Sequence, residues 1–158
     1  GGQWERALDL IDKMKENEMR ISTVTYNAAI SALAKASRSN ARRSTGSSIS
    51  EDFQNIEGGI DGEQLWRKAL DLIEEMKENQ AWPDGYSYSA AISACGAGGR
   101  FEEALKLIKI MQKGPLKSRP NKISYTGAIL ACARCGEWAS ALQLFVNMRA
   151  DRIICDTV

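Results

Sequence analysis

The sequence predicts an all-α protein, an α-solenoid of stacked antiparallel helix-turn-helix repeats, and three observations lead to that prediction. An eight-residue block with Ala, Leu and Met at fixed places occurs four times, beginning at residues 7, 69, 104 and 141. A second block, built around a tyrosine, occurs three times and alternates with the first. Glycines and prolines separate the blocks where a helical repeat needs turns.

The first block has the pattern of an amphipathic helix, which we name helix B. Its four versions are ALDLIDKM at 7–14, ALDLIEEM at 69–76, ALKLIKIM at 104–111 and ALQLFVNM at 141–148. In the version at 69–76, together with the tryptophan three residues before it, apolar residues occur at i, i+3, i+4, i+7 and i+10, namely Trp66, Ala69, Leu70, Ile73 and Met76. That spacing places them on a single stripe, which a neighbouring helix must cover.

The second block predicts the partner helix, which we name helix A. Its versions are VTYNAAISA at 24–32, YSYSAAISA at 86–94 and ISYTGAILA at 123–131. Small residues such as Ala29 and Ala91 permit close helix contacts. Gly99 and Gly136 mark the turns from A to B, and the prolines that follow helix B stop it. Because one pair cannot bury its stripe, the pairs are expected to stack.

The spacing of the blocks sets the expected organisation. The first alanines lie 62, 35 and 37 residues apart. Residues 1–22 then hold helix B of one repeat, followed by repeats at 23–84, 85–121 and 122–156 and the start of another at 157–158. The excess of 27 residues is an insertion at 37–63, rich in Ser and Gly, which we expect to be a disordered loop. The chain therefore resembles a piece of a longer array.

The insertion is basic at one end, with Arg38, Arg42 and Arg43, and acidic from Glu51 onward. It is either a solvated tether or a segment whose arginines contact a phosphate backbone.

Composition excludes several classes of protein. The 21 Lys and Arg balance 20 Asp and Glu, so overall charge does not indicate a polyanionic partner. No apolar run is long enough to span a membrane, and four cysteines are too few for a secreted disulfide scaffold. The complete absence of histidine removes Ser-His, Cys-His and His-metal sites. We therefore expect neither enzyme activity nor a cofactor or metal.

Cys132 and Cys135 have the spacing of a zinc or redox motif. However, Cys95 occupies the place of Cys132 in the preceding repeat, where a small residue packs. We interpret this pair as core packing.

The run VTYNAAISALAKA at 24–36, continued after the insertion by ALDLIEEMKENQAWPD at 69–84, resembles the pentatricopeptide repeat consensus. The resemblance extends over nearly everything except 37–63, although Ile21 and Cys155 replace the family's proline. It implies a right-handed superhelix that binds single-stranded RNA in a mitochondrion or chloroplast, supporting RNA processing, editing, stability or translation.

In that family two residues choose each base: the residue after the helix A tyrosine and the last residue of the repeat. Carried over, the base-reading pairs are Asn27 with Asp84, Ser89 with Asn121, and Thr126 with Asp156. The resemblance implies that they read U, A and G in chain order. Asp only accepts hydrogen bonds and so suits the ring N–H of U or G, whereas Asn also donates and suits the bare ring nitrogen of A or C.

Two further sets of residues are expected on the same face, the first from the resemblance and the second from the distribution of charge. Val24, Tyr86 and Ile123 match positions at which the family sandwiches bases, and the Tyr86 ring can stack on a base. Segments 23–36, 85–98 and 122–135 contain no Asp or Glu, and Lys35 and Arg134 hold equivalent places from which they can contact phosphates. The third equivalent is Ala97, which leaves a gap in the charged track.

Two other functions are compatible with the same repeats. A solenoid can serve protein–protein interaction, or act as a structural part of a larger organellar assembly. More remotely, the chain can belong to an enzyme whose catalytic domain lies elsewhere.

Overall fold

A computed structural model describes residues 3–44 and 62–153 of the 158-residue chain. These residues form seven α-helices and one short 3-10 helix and include no strand. The α-helices are α1 Gln3–Glu16, α2 Thr23–Ser44, α3 Gly62–Glu78, α4 Gly85–Ala97, α5 Phe101–Lys113, α6 Lys122–Arg134 and α7 Trp138–Ala150, with the 3-10 helix at Leu116–Ser118.

The helices form two rows. Helices α2, α4 and α6 contain the tyrosine block and pack against one another in order, so they form the A row. Helices α1, α3, α5 and α7 contain the Ala-Leu-Met block, and each packs against the A helices beside it to form the B row. This arrangement confirms the predicted all-α solenoid of antiparallel helix pairs.

The predicted apolar stripe of α3 lies in the core. Trp66, Ala69, Ile73 and Met76 are at most 5% exposed, and the stripe faces the A row. The A-row tyrosines contribute from the other side, because Tyr26 and Tyr125 are fully buried. Burying such large side chains is the main source of stability in a repeat whose single pairs have no core of their own.

Helices α4 and α6 approach closely because both carry glycine where they meet. A methyl group added at Gly96 would lie 2.6 Å from the carbonyl oxygen of Gly127, and one at Gly127 would lie 3.1 Å from the Ile92 side chain. The first distance leaves no room for a larger residue at Gly96, and the second would require the Ile92 side chain to shift. The small residues of helix A therefore determine how tightly successive repeats stack.

The turns from helix A to helix B require glycine. Gly99 and Gly136 have φ angles of +65° and +75°, a left-handed conformation that other residues adopt only at a cost. The loops after three of the B helices also contain a left-handed residue, at Glu18, Gln80 and Arg152. Each of these lies four residues after the block's methionine, so the loop geometry repeats with the sequence.

The bounds expected for the inserted loop need correction. Helix α2 continues to Ser44 and α3 begins at Gly62, so residues 37–44 and 62–63 are helical. Residues 37–45 contain neither Gly nor Pro, so nothing stops the helix there, and Ser37 is buried at 3% exposure. Residues 45–61, the rest of the predicted loop, lie outside the described part of the chain.

Within the described ranges, no helix combines the length and apolar character needed to cross a bilayer.

Candidate nucleic-acid interface

The first predicted base-reading pair joins two successive repeats. Asn27 lies in the second turn of α2, and Asp84 immediately precedes α4. The Asn27 side-chain amide donates to both Asp84 carboxylate oxygens at 3.3 Å. The Asn27 amide oxygen accepts a hydrogen bond from the Ser87 hydroxyl. Residues 57 positions apart in sequence therefore meet on one surface.

Asp84 also begins helix α4. Its carboxylate accepts hydrogen bonds from the backbone N–H groups of Tyr86 and Ser87, both at 2.9 Å, and the Ser87 hydroxyl accepts from the Asp84 N–H in return. This is a capping box. Burial alone would raise the pKa of the Asp84 carboxyl, but the donors on Ser87, Asn27 and Tyr86 hold it below its usual value. The carboxylate form is therefore the one that this site stabilises.

The second pair, Ser89 and Asn121, meets in the same way between α4 and α6. The Ser89 hydroxyl lies 3.2 Å from the Asn121 side-chain oxygen and 2.6 Å from the Gly85 carbonyl oxygen, and both oxygens accept from it. Asn121 caps α6, since its side-chain oxygen accepts from the Ser124 N–H at 3.0 Å. No described residue accepts a hydrogen bond from the Asn121 side-chain N–H group. Ser89 itself is only 3% exposed, which the sequence did not indicate.

Only one member of the third pair can be placed. Thr126 lies exposed on α6, one repeat after Ser89. Asp156 lies outside the described residues.

The three predicted base-sandwiching residues are exposed in the first turns of the A helices. Val24 is 77% exposed, Tyr86 56% and Ile123 57%. Their side chains are therefore exposed on the A row rather than buried in the core. The Tyr86 hydroxyl lies 3.1 Å from the Ser31 hydroxyl, so the Tyr86 side chain extends across α2.

A groove of about 410 Å³ opens on the A row across α2, α4 and α6. Its lining includes small residues of α4 and α6, namely Ser93, Gly96, Ala97 and Gly127. Because these side chains are short, they leave a depression between the longer side chains on either side. The volume is within the range of about 300–1,000 Å³ that is typical of small-molecule sites.

Basic and apolar side chains complete the groove. Arg38 comes from α2, and Lys122 and Arg134 come from α6, while Ile123 and Leu130 add apolar surface. None of the described residues that line the groove is Asp or Glu. The site is therefore suited to a ligand that combines negative charge with a flat apolar group.

The two residues predicted to contact phosphate differ in their surroundings. Lys35 is exposed on α2. Arg134 is also exposed, but its guanidinium donates to the Ala97 carbonyl oxygen at 2.7 Å. Arginine has five N–H donors, so this contact fixes the side chain across α4 without using its full donor capacity.

The groove was not expected from the sequence, although a phosphate contact was one of the two interpretations of Arg38 and its neighbouring arginines. The expected loop is wrong for Arg38, which belongs to the helical extension of α2 and lines the groove. One signal was available: Arg38 follows Lys35 by three residues, a spacing that keeps both on one face if the helix continues.

The A helices retain the charge asymmetry expected from the sequence. Helices α2, α4 and α6 contain no Asp or Glu, whereas helices α1, α3 and α5 of the B row contain four, five and two, and α7 contains none. Asp84 is the nearby exception, and its charge is engaged by the capping donors. A polyanion that approaches the A row therefore meets little repulsion.

Two of the three described cysteines have the environment of packing residues, whereas Cys135 is exposed, so the core-packing interpretation is wrong for Cys135. Cys95 and Cys132 are fully buried in equivalent places on α4 and α6. Burial raises the pKa of Cys95 to about 12 and also raises that of Cys132, so both thiols stay protonated and unreactive near neutral pH. Cys135 is exposed and donates to the Gly99 carbonyl oxygen at 2.8 Å. Among the described residues, no cluster of three or more His, Cys, Asp or Glu is placed to hold a metal ion.

Comparison with known proteins points to a single family. The model of the PPR repeat matches residues 1–19, 63–80, 86–114 and 123–153, together more than half of the chain. Over 103 residues, the chain is 28% identical to a chloroplastic pentatricopeptide repeat-containing protein of Arabidopsis thaliana. That match covers 65% of this chain but only 9% of the relative, so the chain spans about a tenth of the relative's length.

Two solved structures share the fold. The PPR domain of Arabidopsis thaliana protein-only RNase P 1, in complex with tRNA, has a TM-score of 0.70 at 17% identity, covering 97% of this chain and 66% of that one. The maize protein PPR10, in complex with an 18-nucleotide psaJ RNA element, has a TM-score of 0.68 at 21% identity, covering 98% and 18%. Since the family model matches more than half of its length and both structures have the same fold, the chain belongs to the PPR repeat family.

Proposed function

We propose that this chain binds single-stranded RNA, with each repeat reading one base, and that the bases are U, A and G in chain order. One observation carries the proposal. Two of the three base-reading pairs implied by the family resemblance lie within hydrogen-bonding distance between successive repeats. They occur one repeat apart on the same row of helices, as a series of stacked bases requires.

The hydrogen-bonding groups fit the proposed bases. In the first pair, the Asp84 carboxylate is an acceptor for the ring N–H of uracil, and its lowered pKa keeps it ionised. In the second pair, the Asn121 side-chain N–H group donates to the bare ring nitrogen of adenine. Val24, Tyr86 and Ile123 are exposed beside the pairs, where they cover the faces of the bases.

The relatives support an RNA ligand. The two structures described above are complexes, one with tRNA and the other with an 18-nucleotide RNA element. We extend that ligand class to this chain because its A row is free of carboxylates and exposes the groove described above. The chain is then a binding part without catalytic residues of its own, even if it serves a larger protein.

The cellular role follows from the same proposal. The Arabidopsis thaliana relative is named chloroplastic. We place this protein in a chloroplast or mitochondrion, where it supports RNA processing, editing, stability or translation.

Binding of short synthetic RNAs tests the proposal directly. An oligonucleotide containing UAG is compared with oligonucleotides of identical composition in which the triplet is permuted, over a series of salt concentrations. We expect tighter binding to UAG, and an affinity that falls with salt as counterions are released. Equal affinity for all triplets together with no dependence on salt would contradict RNA binding and favour a protein-interaction solenoid.

A further inference from the structure

We propose that Arg38, contributed by the helical extension of α2, supplies the phosphate contact that the α4 repeat lacks at Ala97. This inference rests on the proposed binding of single-stranded RNA. The ligand assigned to the groove is one nucleotide of that strand, with its phosphate between the guanidinium groups of Arg38 and Arg134.

Helix α4 lacks the basic residue that the other two A helices have at the equivalent place. Lys35 of α2 and Arg134 of α6 occupy equivalent places in their repeats. Each of these two helices therefore carries a cation at that place. The equivalent residue of α4 is Ala97, and the whole of Gly85–Ala97 contains no Lys or Arg. A phosphate that passes over α4 therefore finds no charge on that helix.

Arg38 reaches this position because α2 is longer than the other A helices. Helix α2 extends over 22 residues, whereas α4 and α6 have 13 each. Arg38 belongs to the added turns and is one turn beyond Lys35. It lines the same groove as Ala97, although the two residues belong to different repeats. The helical part of the insertion thus places the Arg38 cation near α4, on the side where α2 lies.

Arg134 approaches Ala97 from the opposite side. Its guanidinium donates to the Ala97 carbonyl oxygen and also lines the groove. Arg38 and Arg134 therefore flank the one position in the row that has no charge of its own. Arginine is well suited to this arrangement, because its planar donor groups can bind phosphate oxygens in a bidentate manner.

The electrostatics of the groove favour a phosphate. Arg38 is exposed, and no carboxylate of the described residues lies within ion-pair distance of it or of Arg134. Small residues of α4 line the groove together with the two arginines, and Ile123 and Leu130 offer apolar surface to the attached nucleoside. The charge and shape of the groove are therefore complementary to a nucleotide. An acidic peptide has no flat base to cover the apolar surface.

The test compares Arg38→Ala with Arg149→Ala, which removes an equal charge from the exposed end of α7 in the B row. RNA affinity is measured for the UAG oligonucleotide and one permuted oligonucleotide over a salt series. We expect Arg38→Ala to weaken both complexes by the same factor, about tenfold at low salt, because a phosphate contact carries no sequence information. The slope of log affinity against log salt should become shallower by about 0.7. Arg149→Ala should change neither quantity appreciably.

A second variant separates charge from packing. Arg38→Lys keeps the charge and should retain the wild-type salt slope. If Arg38→Ala binds RNA with the wild-type affinity and slope, the contact at Arg38 is refuted while RNA binding by the chain stands. If Arg38→Lys loses as much of the slope as Arg38→Ala, the phosphate contact is refuted as well. If the wild-type chain shows no RNA binding at all, the proposed function fails, and this inference fails with it.

Discussion

The Asn27 amide donates to the Asp84 carboxylate across the junction between two repeats, at 3.3 Å to each oxygen. The same carboxylate caps helix α4 through two backbone N–H groups. One side chain therefore contributes to the start of a helix, to the contact between repeats and, in our proposal, to the choice of a base. Substitutions at this residue must be designed so that these contributions can be measured separately.

Asp84→Ala should lower the free energy of unfolding by about 1 kcal/mol, the usual loss for an N-cap side chain. Asp84→Asn is the matched control, because an asparagine oxygen can still cap the helix. Its stability near neutral pH should lie between those of Asp84→Ala and the wild type, because the amide oxygen caps the helix but lacks the charge that the folded state stabilises. Urea unfolding monitored by circular dichroism gives both values. A loss of stability as large for Asp84→Asn as for Asp84→Ala would contradict the capping interpretation.

The same side chain predicts a dependence on acid. The pKa of Asp84 is lower in the folded chain than its unfolded value near 3.9, so its contribution to stability is complete above the unfolded pKa. That contribution is lost as pH falls through the folded pKa. Between pH 5 and pH 2, the wild type should therefore lose more stability than Asp84→Asn, as measured by urea unfolding at each pH. Parallel curves for the two proteins would show that the carboxylate is not stabilised in the folded state.

Asn121→Asp should move the preference at the central base from A towards G. The substitution replaces the side-chain N–H donor with an acceptor, which suits the ring N–H of guanine. Helix α6 should be unaffected, because the Asp oxygen can accept the capping hydrogen bond from Ser124. The measurement is the ratio of affinities for UAG and UGG oligonucleotides. Asn147→Asp, on the B-row helix α7, is the control and should leave the ratio unchanged, whereas an unchanged ratio for Asn121→Asp would refute the predicted register.

Gly96→Ala should destabilise the chain by roughly 1–3 kcal/mol, because overpacking forces backbone shifts. The new methyl group would lie 2.6 Å from the Gly127 carbonyl oxygen, which cannot rotate away as a flexible side chain would. Ser93→Ala, on the same helix and only partly buried, is the control and should have a small effect. Thermal unfolding of the three proteins checks this prediction. Equal melting temperatures would show that α4 and α6 separate at little cost.

The sequence was sufficient for the fold because the repeat is a local property. The spacing of the Ala-Leu-Met block identifies helix B, and glycines such as Gly99 mark the turns with no knowledge of the tertiary structure. The family resemblance also paired Asn27 with Asp84 as residues that choose one base, and the structure brings their side chains together across a repeat junction. In both cases the regular repeat allows a residue's place in the fold to be inferred from its place in the sequence.

The remaining features depend on contacts between repeats. The Ser-rich composition of 37–44 predicts a loop, but the helix continues to Ser44 because Ser37 is buried and the segment contains neither Gly nor Pro. The burial of Ser89 and the bond from Arg134 to the Ala97 carbonyl oxygen arise from the close approach of α4 and α6. No pattern within one repeat specifies that distance.

The buried tyrosines predict a loss of stability in alkali. Tyr26 donates to Glu75 at 2.7 Å, and Tyr125 donates to Asp151 at 2.6 Å. Burial, followed by these contacts with carboxylates, raises the pKa of each tyrosine to about 12. Since the unfolded value is near 10, the contribution to stability is complete below pH 10 and is lost as pH rises towards 12.

Tyr125→Phe tests this in a single position. Near pH 8 the variant should be less stable by about 1 kcal/mol, because Asp151 and Gln112 lose a hydrogen-bond partner. Between pH 9 and pH 12 it should lose less stability than the wild type, by about 2–3 kcal/mol for the one tyrosine. Cys95, whose pKa is also raised to about 12, affects both proteins equally and so cancels in the difference.

Urea unfolding over this pH range provides the comparison, with the exposed Tyr86→Phe as the control, which should follow the wild-type curve. If the Tyr125→Phe curve also ran parallel to that of the wild type, the buried hydroxyl would not be the group that titrates.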